Sequence, residues 1–131
     1  MIFGRWIVGL LAVAIIAGTA CGAGGPSAKV GYSSISPQDL QAQMDSSEKP
    51  VIVDLREPDL YKAGHITGAK NIPFEEFDRR FDELDPQAKI ALVCHSGPMG
   101  EISGTLLAER GYSKVSNVRG GMAAWRGKLE R

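Results

Sequence analysis

The stretch 89–100 constrains the fold more than any other part of the chain. An apolar run, Ile90–Val93, leads directly to Cys94, and a loop that contains two glycines and a proline follows. An uninterrupted apolar run of this length is typical of a strand buried on both faces, as in a parallel sheet. Gly and Pro then force a tight turn, and apolar residues recur at helical spacing from Ile102 to Leu107. The stretch therefore predicts a strand, a turn and a helix.

The predicted turn gives Cys94 a distinctive environment. A residue at the carboxyl end of a strand that faces the start of a helix lies near free backbone N–H groups and the positive end of the helix dipole. An anion is favoured there, and a thiolate is an anion. One interpretation of Cys94 is therefore an activated nucleophile. The other is an inert buried cysteine, since free cysteines are among the most buried residues.

Residues 1–20 are predicted to be an export signal with a lipobox-like end. Arg5 supplies a positive charge, residues 6–17 are almost wholly apolar, and the small residues 18–20 precede Cys21. This order is that of a secretory signal peptide. A cysteine directly after small residues is similar to a bacterial lipobox, in which the cysteine carries the lipid. We expect an exported, membrane-anchored lipoprotein lipidated at Cys21, with an uncleaved anchor or ordinary signal cleavage as the alternatives.

The cysteine count favours a functional role for Cys94. The chain has two cysteines, so lipidation of Cys21 leaves Cys94 as a lone thiol outside the cytoplasm. A leftover cysteine in an exported protein indicates a reactive thiol or an intermolecular bridge. Between the two cysteines, residues 21–33 are rich in Gly, Ser and Ala and are predicted to be a flexible tether. Residues 34–131 are the predicted domain.

Charge and composition exclude several classes of function. Lys plus Arg and Asp plus Glu are both 15, so no nucleic-acid partner is expected. There is no Cys-x-x-Cys pair, and the two histidines lie far apart in the sequence, so no metal site is predicted. The glycine run 22–25 follows no strand and opens no helix, so it is not a nucleotide-binding loop. No cofactor is expected.

The order of predicted elements indicates an α/β fold. Val51–Val53 is a second buried strand that runs into Asp54, 69–72 is a short strand, and Val115–Val118 is the last one. Predicted helices alternate with these strands, which is typical of a mainly parallel sheet. The first of these helices is predicted to start at Ser36–Asp39, with Ser36 as its cap and Pro37 at its first position. Sites in such sheets lie at the carboxyl ends of the strands, where both Asp54 and Cys94 are placed.

Four segments together resemble the signatures of the rhodanese family. They are Asp54–Glu57, Gly64–Pro73, Cys94–Gly97 and Gly120–Trp125, and the resemblance covers about 34–126. It implies a rhodanese-like α/β domain with a five-stranded, mainly parallel sheet flanked by helices. It also implies that Cys94 accepts sulfane sulfur as a persulfide. The usual donor in that family is thiosulfate, and the acceptors are cyanide or thiols.

The resemblance also identifies a substrate-binding loop, which departs from the family pattern. Its residues are His95, Ser96, Gly97, Pro98, Met99 and Gly100. Active members usually carry basic residues next to the cysteine and five residues beyond it, where this chain has His95 and Met99. Met99 cannot attract an anion, and Pro98 has no N–H to offer. We therefore expect a weak or specialised sulfurtransferase.

Three further residues are predicted to support the site. In the Gly-His-Ile context, the family uses the histidine, here His65, to hold loop structure by hydrogen bonding. Asp54 and Arg56 lie at the end of a strand, where they support the site or form a structural ion pair.

Two other functions stay open on the same fold. Cys-dependent phosphatases need an Arg at the far end of the loop to bind the oxyanion, and Met99, Gly100 and Glu101 do not supply one. The stronger alternative is a non-catalytic binding or regulatory module at the membrane surface. The missing loop Arg favours that alternative, whereas the retained Cys94 argues against it.

Overall fold

The computed structural model describes residues 31–131. In this range the strands are β1 Tyr32–Ile35, β2 Val51–Asp54, β3 His65–Ile66, β4 Lys70–Asn71, β5 Ile90–Val93, β6 Val115–Val118 and β7 Leu129–Glu130. The α-helices are α1 Pro37–Met44, α2 Pro58–Ala63, α3 Phe74–Arg80, α4 Pro98–Glu109 and α5 Gly121–Ala124, and a single 3-10 turn spans Phe81–Glu83.

A five-stranded parallel sheet organises the domain. Its strand order is β1-β6-β5-β2-β4, and each neighbouring pair is parallel. The predicted strand Ile90–Val93 lies at the centre, and all four of its residues are buried. The short strands β3 and β7 pair antiparallel as a separate ribbon. The predicted α/β fold with a five-stranded, mainly parallel sheet is therefore confirmed.

Side chains along β5 alternate between the two faces of the sheet. Both faces carry buried apolar residues, and helices cover both. Leu92 and Cys94 join one apolar cluster, to which Phe77 of α3 and Leu107 of α4 also belong. Ala91 and Val93 join the opposite cluster with Leu40 of α1 and Trp125. Cys94 therefore points towards the layer formed by α3 and α4.

The domain begins two residues earlier than predicted. Tyr32 and Ser33, assigned to the tether from the sequence, are the first residues of β1 and pair with β6. The predicted start of α1 is present: Ser36 Oγ accepts the Asp39 N–H at 3.0 Å, and the Asp39 carboxylate accepts the Ser36 N–H at 2.9 Å. Such a cap stabilises a helix by about 1 kcal/mol.

The predictions for the N-terminus concern residues outside the described range. They are the signal segment 1–20, Cys21 and the tether as far as residue 30. Within 31–131, none of the helices is long and apolar enough to cross a membrane.

Helix α4 packs through small residues as well as through Leu106 and Leu107 of the predicted apolar stripe, whereas Ile102 does not reach the core. Ile102 is 60% exposed, whereas Gly100, Ser103, Gly104 and Leu107 are buried. A Cβ on Gly104 would approach the Tyr32 ring to 2.9 Å, and one on Gly100 would overlap the Asn117 amide. The helix therefore lies close against β1 and β6, which brings its first turn to the carboxyl end of the sheet.

Candidate active site

Cys94 lies at the point where β5 ends and the loop to α4 begins. Its Sγ accepts a hydrogen bond from the Gly97 N–H at 2.9 Å. Gly97 has φ +130° and ψ −38°, a conformation that side chains disfavour, and it leads the chain from the loop into α4. Backbone N–H donors of this kind stabilise a thiolate or the terminal sulfur of a persulfide. Only 1% of the cysteine is exposed, so its access is narrow.

The start of α5 holds the Cys94 loop from the other side. The Met122 N–H donates to the Cys94 carbonyl at 2.7 Å, and the Ala123 N–H donates to the His95 carbonyl at 3.0 Å. Gly121 has φ +53°, and a Cβ there would overlap the Cys94 carbonyl oxygen. Gly121, the first residue of α5, therefore permits a close approach between the C-terminal segment and the nucleophile. The sequence identified this segment only through its family resemblance.

Asn117 of β6 is a positioning residue that the sequence analysis missed. Its Nδ2 donates to the Gly97 carbonyl at 3.1 Å, and the side chain is buried. The same carbonyl accepts the Glu101 N–H at 3.2 Å. These bonds fix the peptide unit that follows Gly97, next to the unit whose N–H donates to Cys94. An amide inside a strand of buried residues was the available signal.

His95 turns towards the neighbouring loop. Its Nε2 lies 2.9 Å from Glu57 Oε2, the residue just before α2. The pKa of the Glu57 carboxyl is lowered, first by its own backbone N–H and then by the bond to His95. His95 therefore faces a carboxylate across an exposed contact and does not stand free as a loop cation.

The remaining loop residues divide between surface and core. Ser96 and Pro98 are exposed, and Gly100 is buried against Asn117. Pro98 is the first residue of α4, a position whose N–H has no partner within a helix in any case. Met99 packs against the cluster that contains Cys94. The position that usually supplies a basic side chain is thus partly buried and apolar.

Asp54 and Arg56 form a buried ion pair. Arg56 Nη2 and Nε approach the Asp54 carboxylate to 2.7 and 3.0 Å, and the Arg56 N–H donates to Asp54 Oδ1 at 2.9 Å. Arg56 Nη2 also donates to the Gly64 carbonyl at 2.7 Å. Asn71 Nδ2 closes the arrangement with bonds to the Asp54 and Arg56 carbonyls. The pair therefore holds the turn that carries Glu57, and it acts on the Cys94 loop only through that turn.

His65 belongs to the β3–β7 ribbon. Its Nδ1 lies 2.8 Å from the Tyr61 carbonyl, its ring stacks on Tyr61 with centroids 3.8 Å apart, and its Nε2 lies 3.6 Å from Glu130. These contacts suit the predicted role in holding structure. Across residues 31–131, no three His, Cys, Asp or Glu side chains gather as metal ligands would.

Known proteins have sequences similar to that of this chain. The model of the rhodanese-like domain family matches residues 36–128. A putative sulfur carrier protein of Bacillus subtilis, YrkF, is 37% identical over 110 residues, which are 82% of this chain and 60% of that protein. The thiosulfate sulfurtransferase GlpE of Pseudomonas entomophila is 34% identical over 95 residues, which cover 72% of this chain and 85% of that protein. The chain spans less than two thirds of YrkF, 60%, and of a second Bacillus subtilis protein, YqhL, 65%.

Solved structures share the fold as well. A rhodanese-related protein from Thermoplasma volcanium superposes with a TM-score of 0.69 at 25% identity, over 76% of this chain and 98% of the other. A rhodanese-like domain protein from Staphylococcus aureus gives a TM-score of 0.69 at 28% identity, over 75% and 96% of the two chains. The family match spans four of the five strands of the sheet, β2, β4, β5 and β6, and the Cys94 loop, and the chain therefore belongs to the family of rhodanese-like domains.

Proposed function

We propose that this protein is a sulfurtransferase that carries sulfane sulfur as a persulfide on Cys94. The observation that carries the proposal is the 2.9 Å bond from the Gly97 N–H to Cys94 Sγ, at the junction of β5 and α4. The relatives that are named thiosulfate sulfurtransferase support it. So does the putative sulfur carrier protein, whose name implies the same cargo.

The reaction needs two displacements at sulfur. With thiosulfate, the Cys94 thiolate attacks the outer sulfur, a bond forms between Sγ and that sulfur, and the bond to the sulfite sulfur breaks, so that sulfite leaves with two negative charges. The Cys94 perthiolate then passes its outer sulfur to a thiolate or to cyanide and returns to the thiolate form. The Gly97 N–H is placed to stabilise negative charge during both displacements. No cofactor takes part.

The same geometry supports a weak or specialised activity rather than a fast one. Met99 offers no charge to an anionic donor, and His95 is paired with Glu57. The burial of Cys94 favours the rival function, a non-catalytic binding or regulatory module. The bond to Sγ favours catalysis, since an inert cysteine does not require a glycine held in a disfavoured conformation beside it.

The test of sulfur transfer is the intact mass of the purified protein after incubation with thiosulfate. We expect a gain of one sulfur atom that a thiol reductant removes, and no such gain in a Cys94→Ser variant. A Cys94→Ser protein that gains the same mass would contradict the proposal. So would a parent protein that gains no mass from thiosulfate or from any other sulfane donor.

We also propose that the protein is exported and anchored to the outer side of a membrane by a lipid on Cys21. The order of charged, apolar and small residues before Cys21 supports this. We expect the mature protein to partition with membranes and a Cys21→Ser variant to lose the lipid. Recovery of an unmodified chain that begins at Met1 would instead indicate an uncleaved anchor.

A further inference from the structure

We propose that a small pocket beside the Cys94 loop selects sulfur donors by charge and takes a small organic persulfide that carries an ammonium group. The pocket has a volume of about 160 Å³; its apolar wall comprises Leu55, Phe74 and Met99, and Glu57, Glu75 and Glu76 supply carboxylates. We call it the side pocket. The proposal rests on the proposed sulfurtransferase function and specifies the donor class.

The side pocket shares part of its lining with the surroundings of the nucleophile. Leu55, Phe74 and Met99 all belong to, or pack against, the apolar cluster that contains Cys94. Met99 also lies in the first turn of α4, directly after the loop that begins at Cys94. The apolar wall of the side pocket is therefore part of the cluster that surrounds Cys94. The volume is smaller than that of pockets for drug-sized ligands, so it suits a molecule of a few heavy atoms.

The charge of the side pocket is negative. Glu76 is paired with Arg80 at 2.7 Å, but Arg80 also binds Glu83 at 2.7 Å, so its charge is shared. Within residues 31–131, the ion-pair partner of Glu57 is the side chain of His95, at 2.9 Å. Glu75 is exposed, and no cation among the described residues pairs with it. A cleft lined by one sign of charge concentrates ligands of the opposite sign and repels those of its own.

Two features of the chain act in the same direction. Met99 occupies the position where related enzymes usually carry a basic side chain, so a positive charge that would attract thiosulfate is missing there. The carboxylates of the side pocket add negative charge, which repels thiosulfate. Arg56, the cation nearest in sequence to Glu57, is held by Asp54. A donor with a short methylene chain and an ammonium group matches both parts of the side pocket, because its methylenes can lie on the apolar wall while its charge faces the carboxylates.

The transfer from such a donor balances without an oxidant. The Cys94 thiolate attacks the outer sulfur of R–S–S–H, a bond forms between Sγ and that sulfur, and the bond between the two donor sulfurs breaks. The proton stays on the transferred sulfur, and R–S⁻ leaves. The products are the Cys94 persulfide and a thiolate, which carry the same total charge as the reactants.

The experiment compares three donors of equal chain length. They are 2-aminoethyl persulfide, 2-carboxyethyl persulfide and, as the uncharged reference, 2-hydroxyethyl persulfide. The protein is the full chain with Cys21→Ser, which leaves Cys94 as its one thiol, and the readout is the initial rate of sulfur gain by intact mass. We expect the amine donor to react about tenfold or more faster than the carboxylate donor at low salt, with a smaller ratio at high salt.

Two variants locate the effect. Glu75→Gln should lower the ratio of amine to carboxylate rates about threefold, because it removes a carboxylate from the side pocket. Glu109→Gln is the matched control: Glu109 is exposed at the far end of α4, about 15 Å along the helix axis from Met99, and should leave the ratio unchanged.

The outcomes separate this proposal from the proposed function. A Cys94 persulfide that forms at equal rates from the two charged donors, or faster from the carboxylate, overturns the role of the side pocket and leaves the sulfurtransferase standing. An unchanged ratio in Glu75→Gln also overturns it. If no donor, thiosulfate included, adds sulfur to Cys94, both proposals are wrong.

Discussion

Replacement of Asp54 by Asn tests the buried ion pair behind the active-site turn. The Asp54 side chain is 1% exposed and that of Arg56 is 9% exposed. The carboxylate accepts hydrogen bonds from the Arg56 backbone N–H, Nε and Nη2. An Asn side chain has nearly the same shape, but it has one oxygen and no charge, and its NH2 group opposes the guanidinium. The variant therefore leaves the Arg56 charge buried without a counterion.

The expected loss of stability follows from that uncompensated charge. Removal of one partner from a buried pair costs about 3–5 kcal/mol. Arg56 keeps its bond to the Gly64 carbonyl and a small exposed fraction, so the low end, about 3 kcal/mol, applies. Because domains are stable by only about 5–15 kcal/mol, this is a large share of the total. For a domain of about 100 residues it lowers Tm by about 12 °C or more.

The assay is urea unfolding at pH 7, followed by the fluorescence of the buried Trp125. We expect a lower midpoint with an unchanged slope, since the surface exposed on unfolding is the same. Glu83→Gln is the control, because it removes a partner of Arg80 from an exposed pair and should shift the midpoint far less. A loss below about 1 kcal/mol with an unchanged slope would refute the reasoning, because it would mean that Arg56 is solvated without Asp54.

Three further predictions follow from the loop and the surface. Gly121→Ala should slow sulfur gain by Cys94 at least about tenfold, because its Cβ would displace the Cys94 carbonyl; an unchanged rate by intact mass would contradict this close packing. Met99→Arg should raise the rate with thiosulfate about tenfold, less at high salt and not with an uncharged donor; no change with either donor in a folded variant would mean that Met99 is not limiting. The pKa of Glu83 is lowered from 4.5 to about 2 by hydrogen bonds from Arg80 and Lys70. Its stabilising contribution is therefore complete above pH 4.5 and is lost as the pH falls towards 2. Urea midpoints of the parent and of Glu83→Gln should converge over that range, and a constant difference would contradict the shift.

Local sequence patterns predicted the parts of the fold that depend on residues close together in the sequence. The apolar run Ile90–Val93 predicted the central strand. Ser36, Pro37 and Asp39 predicted the start of α1. Cys94 was placed correctly because a strand, a Gly-containing turn and a helix leave little freedom for the residue between them.

Contacts between distant segments were not predictable in this way. Glu57 and His95 are 38 residues apart, and Asn117 and Gly97 are 20 apart. Helical spacing suggested that Ile102 would face the core, but close packing on Gly100 and Gly104 rotated the helix away from it. Hydrophobic periodicity identifies an apolar stripe on a helix. It does not indicate that a face of small residues can lie closer to the sheet than the apolar stripe does.

The two hydrogen bonds from α5 to the Cys94 loop have a consequence for the order in which parts of the domain fold. The Met122 and Ala123 N–H groups bind the Cys94 and His95 carbonyls, so the loop cannot reach its final conformation before the C-terminal segment is in place. The nucleophile is therefore assembled among the last parts of the domain, and a chain truncated before residue 121 would expose its thiol in an incomplete loop.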